Sequence, residues 1–155
     1  MAANADPLIR FLLPESYTRG AIIRGRHIFD EAARVHGLSG VPAELFGKTL
    51  LASVLLLSIS KGGMRQVLQL DAHPEQAHAP IRRILAESRP GMVRGYLHWQ
   101  EEHASMRDES AEGISAWMGH PIRVSTVRDL GFGTPYVSPP SNTIPTTWPI
   151  ISSIT

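Results

Sequence analysis

The longest apolar pattern in the chain runs from Leu45 to Ile59, where Leu45, Phe46, Leu50, Leu51, Val54, Leu55, Leu56, Leu57 and Ile59 leave almost no polar face. A helix that is apolar on nearly every side has to be enclosed on nearly every side. The pattern therefore predicts a central helix laid across a sheet and stopped at Lys61-Gly62-Gly63. Three strand-like runs follow: Met64–Asp71, Pro80–Glu87 and Met92–Trp99. The middle run is ambiguous by itself, because Ile81, Ile84 and Leu85 also suit a helical period. Arg89-Pro90-Gly91 has the turn chemistry that joins antiparallel strands, so a β-hairpin is the expected unit.

Upstream, Pro7–Leu13 is apolar and Tyr17–Arg24 reads as a strand, with Gly20 marking a bulge or a close backbone approach. His27–His36 puts Ile28, Ala32 and Val35 on one helical face, and Gly37 supplies the stop. Pro42 fits the first position of the long helix, where a missing N–H costs nothing. Downstream, Asp71–Ala79 is a polar loop and Gln100–Glu112 a charged, exposed one. Ala111–Met118 suits a short helix with Ile114, Trp117 and Met118 on one face, ended by Gly119-His120-Pro121. Ile122–Arg128 returns to strand, with Ile122, Val124 and Thr126 facing one side. The predicted fold class is α+β, a hairpin-rich antiparallel sheet packed on a central buried helix plus shorter helices. Residues 1–7 read as a flexible N-terminus and 8–138 as one domain. Residues 139–155, uncharged and repeatedly broken by proline, read as an irregular tail.

Composition narrows the picture. At 155 residues, with 43% hydrophobic and 19% charged residues, the chain has the size and balance of one globular domain with a real core. Fifteen basic against 14 acidic residues leave a net charge of +1, which creates no field that would draw the chain onto nucleic acid. Cysteine is absent, which excludes disulfides, thiolate catalysis and thiolate zinc sites within this sequence. Met1–Pro7 lacks the basic-then-apolar order of a secretory signal. The greasiest run, Thr49–Ser60, is shorter than the roughly 18–20 residues a bilayer span needs. A cytoplasmic protein without membrane contact is expected.

Candidate chemistry is sparse. Asp71, His73, Glu75 and His78 share one loop, and His98, Glu101, Glu102 and His103 cluster further on, so a metal-binding protein or small enzyme using the His73/His78 or His98/His103 loops is the alternative function. Neither group has the His-Glu-X-X-His spacing that sets two imidazoles on one helical face, and solvated loops are the plainer explanation. Ser110 or Ser115 lacks the Gly-X-Ser-X-Gly elbow of a nucleophile. Gly62-Gly63 and Gly131-Phe132-Gly133 lack phosphate-loop signatures and read as a helix cap and a hairpin turn. Arg19, Arg24 and Arg26, then Arg82, Arg83, Arg89 and Arg94, with Tyr96 and Trp99, offer the mixture used on single-stranded nucleic acid. The interspersed Glu87, Glu101 and Glu102 favour a solvated sheet face instead. No catalytic, metal or cofactor-binding residue is assigned.

Thr18-Arg19-Gly20, the helix segment Leu50-Leu51-Ala52-Ser53-Val54-Leu55-Leu56, Val67-Leu68-Gln69-Leu70 and Met92-Val93-Arg94-Gly95-Tyr96 occur in this order. Together, from about Leu8 to about Ile144, they resemble the N-terminal domain of the redox-regulated 33-kDa heat-shock chaperones, bacterial holdases. The resemblance implies ATP-independent binding of unfolding client proteins through apolar surface, with no enzyme activity. It also allows a homodimer. The client-binding residues are not identified, because apolar contact leaves no spacing motif.

In that family a C-terminal zinc cluster of Cys-X-Cys and Cys-X-X-Cys forms a redox switch, and none of those cysteines is present here. Relatives continue near Ile144 into an acidic helix of the kind Ile-Ala-Asp-Asp-Leu-Ala-Tyr-Tyr-Phe. Codons that permit Ile-Pro-Thr-Thr-Trp-Pro-Ile-Ile-Ser, the sequence here, also permit that helix if one base is restored after the isoleucine. A truncation by single-base deletion is therefore expected, leaving apolar surface uncovered. The nucleotide sequence beyond the Ile144 codon tests it: no such helix and no downstream cysteines in the neighbouring frame would refute it.

Overall fold

The computed structural model describes residues 6–109 and 111–143, with the side chains of 142 and 143 left aside. Two strands, β1 (Leu8–Leu13) and β2 (Thr18–Ile23), form a separate antiparallel hairpin and lead into helix α1 (Arg26–His36) and helix α2 (Gly40–Ile59). Strands β3 (Arg65–Ala72), β4 (Ile81–Arg89) and β5 (Met92–Trp99) follow as a meander. A 3-10 helix (Glu101–Met106) and helix α3 (Ile114–Met118) then precede β6 (Ile122–Asp129), β7 (Tyr136–Val137) and β8 (Ser141–Thr143). The main sheet runs β5-β4-β3-β6-β7, all antiparallel, with β8 pairing the other end of β6. The α+β architecture predicted from the pattern is the one found.

The core lies between α2 and the inner face of this sheet. Phe46 and Leu50 of α2 are buried against Leu68, Leu70, Ile84, Ala86 and Leu97, with Met118 and Ile122 closing one end. Gly95 permits the approach: a Cβ there would stand 2.6 Å from Leu50, 2.8 Å from Phe46 and 2.7 Å from the Leu85 carbonyl oxygen. A buried polar clasp fixes the same helix. Ser88 Oγ donates to the Ser53 carbonyl at 2.8 Å, while Ser53 Oγ reaches Ser88 Oγ at 2.9 Å and the Gln66 carbonyl at 3.3 Å.

Several expectations need correction. Pro7–Leu13, left without an element by its pattern, contributes a strand. The register of the first hairpin is unbroken, so Gly20 makes no bulge; the Phe11 ring lies over it, 2.4 Å from where a Cβ would be. The expected flexible start at 1–7 does not hold for Asp6 and Pro7. Asp6 Oδ1 and Oδ2 accept from the backbone N–H groups of His27 (3.0 Å) and Ile28 (2.7 Å), and the Pro7 carbonyl accepts from Arg24. Asp6 thus caps α1 from a distance, since the adjoining N-cap residue is Gly25, which has no side chain to do so.

Helix α2 begins at Gly40, so Pro42 occupies the third helical position, still among the N–H groups without an intrahelical partner. At 20 residues the whole helix is long and apolar enough to cross a membrane by length and composition, which the shorter Thr49–Ser60 run is not. Its burial against the sheet gives it the role of a core helix here. Enclosure is incomplete, however: Phe46 to Ser53 is largely buried, whereas Val54, Leu55, Leu56 and Leu57 are half-covered and Ile59 is exposed. The cap after α2 is Ser60, and Gly62, at φ 67°, turns the chain toward β3.

Pro80–Glu87 resolves to strand β4, and Arg89 pairs with Met92 across Pro90-Gly91, as the turn chemistry predicts. The short helix α3 covers only Ile114–Met118, with a 3-10 helix ahead of it. The tail expected to be irregular from residue 139 supplies β8 at 141–143, while the proposed frame change at 144–155 lies outside the described residues.

Candidate functional site

An apolar groove of about 1000 Å³ opens where the first hairpin, α1, α2 and the β4–β5 turn meet. Its walls come from residues far apart in sequence. Leu8 and Ile23 are direct register partners on the hairpin, so their side chains share a face. Ile28, Ala32 and Val35 form the one apolar face predicted for α1, and all three line the groove. Val54 and Leu57 supply the incompletely enclosed half of α2, and Met92 and Val93 the start of β5.

Small residues hold these walls together. A Cβ on Gly25 would fall 2.0 Å from the Leu51 side chain, and one on Gly47 would fall 2.3 Å from the Phe29 ring. The hairpin and α1 therefore seat on α2 at glycines. His36 adds an edge-on contact with Phe46 at 4.8 Å. The remaining hairpin face, with Ile9, Phe11, Leu13 and Ile22, points away from the groove and is exposed, Ile9 and Ile22 each to 61%.

Charge gathers at the β4–β5 end. Glu87, 7% exposed, receives Arg94 at 3.2 Å and Arg89 at 2.9 Å, with Arg65 Nε 3.5 Å away. Burial pushes the Glu87 carboxyl up, but the hydrogen bonds from Arg94 and Arg89 and the charge of Arg65 outweigh it and hold the group below its ordinary 4.5. Arg83 is paired with Asp71 at 2.5 Å, and Arg82 donates to the Gln76 carbonyl. Arg26 pairs with Asp30 at 3.6 Å. The arginines of the second cluster are thus distributed over carboxylates and a carbonyl, and Glu87, expected on a solvated face, is buried beneath them.

The histidine loops do not assemble a ligand set. His73 Nδ1 accepts the Glu75 N–H at 3.3 Å, His78 and His103 meet ring to ring at 5.6 Å, and His98 lies beside Tyr96 at 6.5 Å. Among the described residues no three His, Asp or Glu side chains gather closely enough to hold a metal. Trp99 packs on Trp117 at 5.7 Å and joins the edge of the core, whereas Tyr96 stays exposed. Ser115 lies in α3, and Ser110 is outside the described residues. Gly131 and Gly133, at φ 82° and 72°, turn the chain between β6 and β7.

The comparisons with known proteins bear on this arrangement. The family model described as Hsp33 protein matches residues 6–139. The chain belongs to the Hsp33 family. The 33 kDa chaperonin of Thermotoga petrophila is 28% identical over 121 residues, covering 77% of this chain and 40% of that protein. The 33 kDa chaperonin of Thermosynechococcus vestitus is 28% identical over 136 residues, covering 86% and 44%. The fold is that of the crystal structure of the Thermotoga maritima 33 kDa chaperonin, with a TM-score of 0.67 at 24% identity over 88% of this chain and 45% of that one. This chain spans less than half the length of these Hsp33 relatives.

The groove was not legible in the sequence as a site. Its one signal was the excess of apolar residues on α2 beyond what one sheet face can cover.

Proposed function

We propose that this Hsp33-family chain binds unfolding proteins as an ATP-independent holdase, through the apolar groove floored by Val54 and Leu57. The observation that carries this reading is an open groove of about 1000 Å³ with an apolar floor and a charged border, in a family whose curated relatives are named chaperonins. Burial of apolar surface is non-directional and needs no reacting group, so such a surface can hold many sequences. The groove gathers apolar side chains from the first hairpin, α1, α2 and β5, with Arg10, Glu31, Arg89 and Arg94 at its border. We place the activity in the cytoplasm and outside the membrane.

With no cysteine in the sequence, this chain has no thiol through which an oxidant could switch its binding. Light scattering of a heat-denaturing client tests both statements. The expected result is suppression of aggregation without nucleotide, unchanged by peroxide or by a chelator. Loss of suppression on adding chelator would point to a metal and to the histidine loops instead, and no suppression at all would remove the holdase reading.

A further inference from the structure

The groove has an unfinished backbone border. β5 ends the order of the main sheet, and among the described residues no strand pairs with its far edge. Residues 92–95 of that strand line the groove. Side chains alternate along it: Gly95 faces Leu50 and Phe46 of α2, whereas Arg94 reaches Glu87 on the opposite face. An extended segment laid beside β5 would repeat this alternation, because successive side chains of a strand point to opposite faces. Every second residue would enter the groove beside Val54, Leu57 and Val93. The residues between would stand next to Arg94.

The charge at this border selects among such segments. Arg65, Arg89 and Arg94 share the single carboxylate of Glu87, and the side chains of Arg89 and Arg94 are 49% and 65% exposed. The acids on the opposite wall are already engaged, Asp6 by the α1 N–H groups and Glu31 by Arg34. Arg10 adds a further positive charge to the hairpin wall. Resting on the holdase reading of the groove, we propose that its occupant is an extended client segment that adds as a strand to β5 and alternates apolar with acidic residues.

Three labelled peptides of about ten residues test this, with leucine alternating with glutamate, glutamine or lysine, titrated against the full chain by fluorescence anisotropy. The glutamate peptide is expected to bind about tenfold more tightly than the glutamine peptide and the lysine peptide least, with the differences shrinking in raised salt. M92S, at an exposed position that does not threaten folding, should weaken all three. R94Q should bring the glutamate and glutamine peptides to within about twofold. N-methylation along one peptide edge should abolish binding and along the other spare it, since only one edge can pair with β5. Equal affinities with M92S still weakening all three would overturn the acidic class while leaving the groove as the client site. Equal affinities insensitive to M92S would overturn both. Binding indifferent to N-methylation of either edge would overturn the strand addition.

Discussion

Asp6 carries a helix it is not part of. Its carboxylate accepts from two backbone N–H groups at the start of α1, a position where a missing cap typically costs about 1 kcal/mol. D6A should lower stability by about that amount in urea unfolding, and D6N by less, because the amide oxygen can still accept. Gly95 acts by having no side chain. G95A would push a methyl group against the Leu85 carbonyl as well as Leu50 and Phe46, and is expected to destabilise by about 1–3 kcal/mol in the same measurement. Glu87 acts through its charge. With its folded pKa below the unfolded value, it contributes stability that is complete above the ordinary 4.5 and is lost as the pH falls through the lower folded value. E87Q should therefore flatten the acid limb of a pH–stability curve; an unchanged limb would show that the arginine cluster does not act through this carboxyl. None of these three roles was legible in the sequence, since each depends on a partner brought from another element. The stop at Gly37 was legible, because a left-handed cap is a local demand.

At the scale of elements, the sequence was most informative where one period or one turn decides the structure. The β4–β5 hairpin followed from Arg89-Pro90-Gly91, and β6 from the alternation of Ile122, Val124 and Thr126 with Arg123 and Ser125. β1 was missed because Leu8-Ile9-Arg10-Phe11-Leu12-Leu13 is apolar on both faces, so it shows no alternation to read. α2 was recognised, yet its surroundings were overestimated: one sheet face and α1 cover the half from Pro42 to Ser53, and nothing described covers the rest as fully. The clasp of Ser53 and Ser88 is what anchors the helix at that transition. S88A removes the side-chain donor to the Ser53 carbonyl, which keeps its intrahelical N–H, and should cost about 0.5–1.5 kcal/mol in denaturant unfolding. S53A/S88A should cost less than the sum of the two single changes, because the hydroxyls serve one network.

For the molecule as a whole, the incomplete cover over α2 and the hairpin arm beyond it are the same fact. An apolar surplus that the fold does not bury becomes a groove, and a groove of this composition gains free energy from whatever apolar segment enters it. Under the proposed function, that is the physical route from a 20-residue helix to the binding of apolar segments. The most direct test places a photo-crosslinking residue at Met92, on the groove, and separately at Glu112, which is also exposed to solvent but does not line it. Irradiation during heating with an unfolding client should give adducts from position 92 and few from position 112. Adducts of equal yield at both positions, or none at 92 while aggregation is still suppressed, would contradict the account.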